Sequence, residues 1–350
     1  MAYTDIDDPS AYFQVKIYTG TGSSQAQTFD GDTDMQPDMV WIKQRSGVEQ
    51  HVIFDSVRGV QKYITPNTTA AEGDTATTLT AFGSDGFTEG GHGITGGSSS
   101  TYASWNWKAG TSVSGNTTGS GTAKAYSGSV NTDAGFSIIK YIGNGTSGHT
   151  IPHHLTVAPN VIITKVLNET SSAYVYHSGI GATKNLFLSE TDAAGTSAAY
   201  WVNTAPSSSV FTVGDQTGNN ANTKNIIAYC FAEKQGYSKF GSYTGNGNAD
   251  GTFVYTGFKP AYFMVKLTNG ANNWNIFDNK RNPFNDLDLK LYADTSGADV
   301  SAYGTLDFTS NGIKCRNSDG AFNGSGQSYI YMCFAENPFV TSTGVPATAR

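Results

Sequence analysis

Two short segments carry an aspartate followed three residues later by an arginine, an arrangement that can bind a polar or anionic ligand. One segment holds Asp55 and Arg58, and the other holds Asp278 and Arg281. Charge pairs of this kind also arise as structural salt bridges, and they mark functional sites only in a probabilistic sense. The pattern therefore favours a salt bridge that fixes the loop after a strand, with a ligand-binding pair as the alternative.

Three histidines lie close together at His149, His153 and His154. Metal ligation would require further ligands in a defined geometry. Pro152 interrupts any helix, so the spacing of four between His149 and His153 does not place them on one helical face. The segment is predicted to be a surface turn.

The alternating Asp30, Asp32 and Asp34 are similar to the start of a calcium-binding loop. An EF-hand requires glycine at the sixth position and glutamate at the twelfth, where this chain has Met35 and Trp41. That motif is excluded, and an irregular calcium loop remains the alternative.

Catalytic signatures are absent from the sequence. There is no Gly-x-Ser-x-Gly elbow in a strand–turn–helix setting, no phosphate-binding loop and no evident carboxylate pair for glycoside hydrolysis. We predict a protein that is not an enzyme, without catalytic residues, metal or cofactor. No ligand-contact residue is identified.

The elements that must position these residues are predicted to be strands. Only 14% of the 350 residues are charged, 41 are glycine and 12% are aromatic, whereas about 25% charged residues is typical of soluble domains. Recurring apolar runs argue against disorder, and frequent Asn-Gly and Asp-Gly pairs predict hairpins. Trp105 and Trp107 are two residues apart and share one face of a strand, which favours a core or a contact between domains.

Charge and hydropathy exclude several classes of partner. A net charge of −7 without a basic face argues against nucleic acid, and no apolar run reaches membrane-spanning length. The acidic N-terminus is not typical of a signal peptide. Cys230 and Cys333 lie in equivalent apolar strands and are predicted to be buried free thiols.

Three anchors recur in the same order and reveal an internal repeat. The first is a tyrosine followed two residues later by glycine, and the second is a strand that runs from a proline to a lysine six residues on. The third is a closing aromatic strand, whose last aromatic residue in the three copies is Trp107, Phe231 and Phe334. The first two anchors stand at Tyr18, Tyr141 and Tyr243, at Pro37, Pro159 and Pro260, and at Lys43, Lys165 and Lys266.

The anchors predict three tandem all-β domains of about 100 residues each, of the β-sandwich (jelly-roll or lectin-like) kind. The middle copy departs from the others, since it has Tyr176-His177 in place of Phe-Asp and lacks the arginine. The boundaries that we predict are an N-terminal segment 1–11, repeat 1 at 12–109, a flexible linker or β-hairpin insertion at 110–135, repeat 2 at 136–233, repeat 3 at 237–339 and a tail at 340–350.

At these anchors the chain resembles a family of tandem-repeat virion proteins of marine and freshwater bacteriophages, described as tail-fibre or lectin-like. The resemblance covers nearly the whole chain and is carried by Trp274, Asp278 and Arg281 together with several segments. Those segments are 6–13, 243–247, 256–266, 329–339 and 342–350.

The resemblance implies a virion structural protein that is assembled in the host cytoplasm. The leading hypothesis is a tail-associated adhesin that recognises a glycan or protein of the host surface. The alternative is a capsid decoration protein that binds the major capsid protein, and a glycan-degrading tailspike is a third candidate. The expected partners are other virion proteins and further copies of the chain, with a homotrimer favoured.

Overall fold

A computed structural model describes residues 4–348, without the side chains of residues 302 and 303. The protein is nearly all-β, with 44% strand and 3% helix. The helices are a 3-10 turn (Pro9–Ala11), α1 (Ala198–Trp201) and α2 (Thr217–Asn220). The ends of the predicted N-terminal segment and C-terminal tail, at 1–3 and 349–350, lie outside the described residues.

Twenty-eight strands follow in chain order within the described residues. Those up to residue 107 are β1 (Phe13–Thr19), β2 (Gln25–Gln27), β3 (Met39–Gln44), β4 (Val52–Asp55), β5 (Lys62–Tyr63), β6 (Gly73–Asp74), β7 (Leu79–Gly83), β8 (Gly86–Glu89) and β9 (Thr101–Trp107). Those up to residue 231 are β10 (Thr111–Asn116), β11 (Thr118–Gly119), β12 (Ala125–Asn131), β13 (Phe136–Ile142), β14 (His149–Pro152), β15 (Val161–Val166), β16 (Tyr174–His177), β17 (Lys184–Phe187), β18 (Gly195–Thr196), β19 (Val210–Val213) and β20 (Asn225–Phe231). The remainder are β21 (Ser238–Thr244), β22 (Phe253–Tyr255), β23 (Phe258–Leu267), β24 (Asn275–Asp278), β25 (Leu287–Tyr292), β26 (Val300–Thr309), β27 (Gly312–Cys315) and β28 (Ser328–Pro338).

One antiparallel arrangement of four strands occurs three times. The orders are β1-β9-β3-β4, β13-β20-β15-β16 and β21-β28-β23-β24. In each case the closing aromatic strand lies between the opening strand and the strand that runs from proline to lysine. We call these the inner sheets.

A second layer covers the outward face of each inner sheet. In repeat 1 it is formed by β2-β8-β7, in repeat 2 it includes β14 and β19, and in repeat 3 it includes β26, β27 and β22. A separate apolar cluster lies within each repeat, and Val40, Ile162 and Phe263 from the strands after the prolines belong one to each.

The opposite faces of the three inner sheets meet in one shared core. Alternation along the strands directs successive side chains to the two cores, so Phe263 lies in the core of repeat 3 while Tyr262 lies in the shared one. The last aromatic residues of the three closing strands form a triangle. Their ring centroids are 6.1 Å apart for Trp107 and Phe231, 5.5 Å for Trp107 and Phe334, and 6.0 Å for Phe231 and Phe334. The three repeats therefore surround a common apolar centre with approximate threefold symmetry.

The Tyr-x-Gly anchors hold the opening strand against a loop of the same repeat. Tyr18, Tyr141 and Tyr243 each donate a hydrogen bond of 2.6 Å to a main-chain carbonyl, that of Thr95, Asn219 and Phe322 respectively. The glycine two residues later is needed because the same loop passes directly over it. A Cβ on Gly245 would lie 2.3 Å from the Gly324 carbonyl oxygen.

Replacing Gly245 by alanine is therefore expected to lower the free energy of unfolding by about 1–3 kcal/mol, the usual cost of overpacking. Gly320→Ala provides the control, since nothing lies within 4 Å of a Cβ at that position. The control should change stability by less than about 0.5 kcal/mol. Urea denaturation of the two variants measures the difference, and equal stabilities would contradict the steric explanation.

The segment between repeats 1 and 2 forms a hairpin. β10 and β12 pair antiparallel through six residue pairs, and β12 continues the inner sheet by pairing with β13. β11, between them, pairs with β14 of the outer layer. This hairpin covers the open edges of both layers of repeat 2.

The described ends of the chain are fastened to the body. The Asp5 N–H donates to the Gln235 carbonyl at the junction of repeats 2 and 3, and the Ser342 N–H donates to Asp7 Oδ1 over 2.6 Å. Both ends therefore lie close to each other.

Candidate functional site

The Asp55–Arg58 pair connects repeat 1 to repeat 2. Both side chains are fully buried, and Arg58 Nε donates to Asp55 Oδ2 over 2.5 Å. Tyr229 of repeat 2 donates its hydroxyl to the same carboxylate oxygen over 2.7 Å. The pair therefore forms part of the contact between the two repeats, where solvent does not reach it.

The Asp278–Arg281 pair makes the equivalent connection from repeat 3 to repeat 1. Arg281 Nε lies 2.6 Å from Asp278 Oδ2, and both side chains are fully buried. Trp105 occupies the place of Tyr229 and donates its indole N–H to Asp278 over 3.0 Å. Asp299 then bridges Arg281 and Arg45 of repeat 1, at 2.9 and 2.7 Å.

His177 takes the aspartate position in the middle repeat, because it pairs with Val161 as Asp55 does with Met39. Its neighbour in repeat 3 is Met332, which cannot donate to a carboxylate. His177 Nε2 instead lies 3.0 Å from the Tyr331 carbonyl, and its Nδ1 accepts from the Gly179 N–H at 3.0 Å. This substitution accounts for the departure of the middle copy and closes the ring of contacts.

Acidification is expected to weaken the protein through this histidine. Burial lowers the pKa of His177 to about 4, whereas an unfolded histidine titrates near 6.5. As pH falls through that window the unfolded state takes up the proton first, so stability is lost.

The free energy of unfolding should therefore fall between pH 7.5 and 5.0 by about 2 kcal/mol more in the wild type than in His177→Gln. Urea denaturation at the two pH values tests this, and the variant controls for all other titrating groups. An identical pH dependence of the two proteins would contradict the assignment.

The lysines that end the second anchor are buried, and two of them bind across repeats. Lys43, Lys165 and Lys266 are fully buried, and burial lowers the pKa of each to about 8. Lys165 Nζ donates to the Thr68 carbonyl of repeat 1 over 2.8 Å, and Lys266 Nζ donates to the Thr191 carbonyl of repeat 2 over 3.0 Å. Lys165 and Lys266 therefore connect neighbouring repeats, whereas Lys43 donates to the Gln44 and Gly47 carbonyls of its own repeat.

An exposed aromatic pair on the outer layer of repeat 3 is a better candidate. Phe253 and Tyr255 are 45% and 59% exposed, while Val254 between them is buried. They lie on the same face of β22 because they are two residues apart. The ring of Phe253 extends over Gly312, where a Cβ would lie 2.8 Å from the ring.

Polar groups surround this pair on the neighbouring strands. Lys314 lies directly opposite Phe253 on β27, and Asp307 lies opposite Lys314 on β26. Lys314 pairs with Asp250 at 2.6 Å. The surface therefore combines two aromatic rings with a charged group, and we call it the aromatic strip (Phe253, Tyr255 and Lys314).

Repeats 1 and 2 have no such pair. By the register of the outer layers, Ala26 and Thr28 take the equivalent places in repeat 1, and Thr150 and Pro152 do so in repeat 2. The fold therefore does not require aromatic side chains there. Exposed apolar patches on otherwise polar proteins often mark binding surfaces.

Residues 8–338 match a domain of unknown function, DUF7483. The chain belongs to the DUF7483 family. Neither the curated proteins nor the solved structures gave a match to the chain.

The DUF7483 domain also carries a groove between repeats 1 and 3, with a volume of about 370 Å³. Its walls include Gln14, Asp32 and Asn337, and Lys280 pairs across it with Asp30 at 3.1 Å. Many of its polar groups already bind one another, which makes it a weaker candidate than the aromatic strip.

The histidine cluster is not a surface turn, and that prediction was wrong. His149 and His153 are fully buried, because His149, Ile151 and His153 alternate along β14 and its extension and point inward. Pro152 lies at the end of that strand. Burial lowers the pKa of His153 to about 4.

The structure confirms the predictions for two tryptophans and two cysteines. Trp105 and Trp107 are buried in the shared core, as predicted, and Cys230 and Cys333 are buried free thiols.

Within residues 4–348, no three side chains of His, Cys, Asp or Glu converge as metal ligands would. No helix in that range is both long and apolar enough to cross a bilayer.

The aromatic strip was missed because Phe253, Val254 and Tyr255 read as an ordinary apolar strand. Alignment of the three repeats contained the signal, since only repeat 3 has aromatic residues at these two positions.

Proposed function

We propose that this protein is a structural component of a bacteriophage virion and acts there as a tail-associated adhesin, with the aromatic strip as its contact surface for the host. The observation that carries the proposal is the exposure of Phe253 and Tyr255 at positions where the other repeats have small side chains or proline. Aromatic rings beside a charged group suit a surface glycan or protein, because tyrosine supplies both apolar area and a hydroxyl.

Each repeat is, in this proposal, a complete β-sandwich of the jelly-roll or lectin-like kind with the boundaries predicted above. Its support is that each has two layers and an apolar cluster of its own. Homotrimers on the virion would add avidity to weak single contacts.

Competition for the host tests the adhesin function. Purified chain should slow adsorption of the phage to its host, and Phe253→Ala/Tyr255→Ala should be about tenfold less effective, which corresponds to about 1.4 kcal/mol of binding free energy. Val48→Ala/Val345→Ala is the control, since it removes two apolar side chains that are 75% and 61% exposed. Equal competition by both double variants would contradict the role of the strip, and no competition by the wild type would contradict the function.

A capsid decoration protein is the second candidate. The observation that favours it is the closed ring of three repeats, which has no fibrous stem within the described residues. A reconstruction of the virion separates the two functions, because an adhesin lies on the tail and a decoration protein lies on the capsid.

A further inference from the structure

The hairpin of residues 111–131 occupies a specific pair of strand edges on repeat 2. β12 pairs with β13 at the edge of the inner sheet, while β11 pairs with β14 at the edge of the outer layer. Contacts beyond the ladder strengthen this seating. Asn144 Nδ2 donates to the Ser120 carbonyl at 2.9 Å, and the hydroxyls of Thr118 and Thr150 lie 2.7 Å apart.

The same two edges are open on repeat 3. β21 and β22 are the terminal strands of their eight-stranded sheet, and no other described strand pairs with their outer sides. They correspond to β13 and β14, since Tyr243 takes the place of Tyr141 and Phe253 that of Thr150.

The register shows which main-chain groups are available. Gly245 N–H donates to Gln327 and Ala335 N–H donates to Tyr237, so the odd-numbered residues of β21 bond to β28. Ser242 and Thr244 therefore direct their N–H groups outward. On β22 the even-numbered residues bond to β27, because Thr256 N–H donates to Asn311 and Cys315 N–H donates to Thr252. The N–H groups of Phe253 and Tyr255 therefore point outward, away from β27.

These edges lack most of the usual protection. Natural edge strands are blunted by proline, by charge, by bulges or by covering segments. Neither β21 nor β22 contains proline, and β22 presents two exposed aromatic side chains. The protection of β21 is confined to its first half, where Lys239 is charged and the Phe240 N–H donates to Glu233 Oε2 at 3.4 Å, so Ser242 and Thr244 lie beyond it.

Repeat 1 differs, because the loop at residues 30–33 covers the start of its edge strand. The Gly31 N–H donates to Gln14 Oε1 at 2.9 Å, and Gln14 Nε2 donates to the Thr33 carbonyl at 3.1 Å. Its outer edge strand carries Gln25, Ala26 and Gln27, without an aromatic ring. Repeat 3 is thus the more open acceptor.

We infer that the β21 and β22 edges of repeat 3 form an acceptor site for a β-hairpin of another polypeptide, which binds by strand addition as residues 111–131 do on repeat 2. The occupant is a polypeptide because the equivalent edges already hold one in this molecule. It comes from another protein because the hairpin of this chain is engaged on its own repeat 2. Main-chain hydrogen bonds would supply affinity, and Phe253 and Tyr255 would contact side chains of the added strand. The site does not depend on the adhesin proposal.

A synthetic peptide of residues 110–132 is a suitable probe, since its small Ser, Gly and Thr side chains avoid clashes at the edge. The full-length chain is titrated with the labelled peptide, and amide hydrogen exchange is measured with and without it. We expect saturable 1:1 binding and exchange at least about tenfold slower at Ser242, Thr244, Phe253 and Tyr255, because outward amides gain partners only when a strand is added.

Two proline variants locate the site. Ser242→Pro removes an outward N–H without breaking a bond to β28 and should weaken peptide binding at least about tenfold. Ile17→Pro is the matched control, since Ile17 pairs with Ala103 as Ser242 pairs with Ile330 and should leave the affinity unchanged.

Three results would overturn the inference. They are the absence of saturable binding, binding that Ile17→Pro abolishes and Ser242→Pro does not, and protection of the four amides by self-association of the chain without peptide. The exchange measurement on the wild type keeps the test valid if a proline variant fails to fold.

Discussion

Replacing Asp278 by alanine is expected to lower the free energy of unfolding by about 3–5 kcal/mol, because it leaves a buried guanidinium with incomplete compensation. Arg281 would retain Asp299 at 2.9 Å but lose its closest carboxylate, and the indole N–H of Trp105 would lose its acceptor. Urea denaturation followed by tryptophan fluorescence measures the change. A single transition is expected to shift as a whole, because the shared core joins the three repeats.

The adjacent ion pair is the control for this variant. Lys280 and Asp30 are 37% and 53% exposed in their side chains, and exposed pairs contribute about 0–1 kcal/mol. Asp30→Ala should therefore have little effect. The double variant Asp278→Leu/Arg281→Met should recover much of the lost stability, since replacing both partners of a buried pair removes the uncompensated charge. A loss below about 1 kcal/mol in Asp278→Ala would show that the pair is not needed.

The repeat and its strands could be predicted because the same local arrangements of residues occur in all three copies. Each Tyr-x-Gly turn needs its hydroxyl and its missing Cβ for the same loop, and the last aromatic residue of each closing strand lies at the common centre. Period-two alternation then identified the strands. These features are local in sequence, and the first-anchor tyrosine is separated from the last aromatic residue of the closing strand by 89 to 91 residues in every repeat.

The partners of the predicted residues could not be read from one copy alone. Asp55 binds Tyr229, which is 174 positions away in another repeat. The residues near Asp55 contain no signal that predicts this contact. In the sequence of repeat 2, His177 stands where the other repeats have aspartate. It suits its neighbour in repeat 3, because Tyr331 offers a main-chain carbonyl where the other contacts offer a side-chain donor. A residue that differs between repeats can therefore be explained only from its partner in the neighbouring repeat.

The error at His149 and His153 has a similar origin. A proline within a histidine-rich segment is typical of a turn, yet Pro152 follows the inward-facing Ile151 at a strand end and leaves the alternation intact. Each buried ring finds a partner, for example His149 Nε2 with the Thr117 hydroxyl at 2.6 Å. That partner comes from the segment at 110–135, which the sequence predicted to be either a flexible linker or a hairpin insertion.

The shared core gives the second large prediction, at Trp107. Its side chain is 1% exposed and its ring packs against Phe13, Phe231 and Phe334. Trp107→Ala should lower the free energy of unfolding by about 3–5 kcal/mol, because it leaves a large cavity between the inner sheets. Urea denaturation and thermal melting both report the change.

Phenylalanine at the same position separates volume from polarity. The indole N–H of Trp107 is buried without a hydrogen-bond partner, and the equivalent residues in the other closing strands are Phe231 and Phe334. Trp107→Phe removes the unsatisfied donor, which costs about 1–3 kcal/mol when buried, and thereby offsets part of the lost packing. We expect it to stay within about 1.5 kcal/mol of the wild type, because the smaller ring leaves a smaller cavity than alanine does and no donor remains unsatisfied. A phenylalanine variant as unstable as the alanine variant would mean that the centre of the molecule requires an indole, and that the threefold likeness of the three aromatic positions does not extend to their packing.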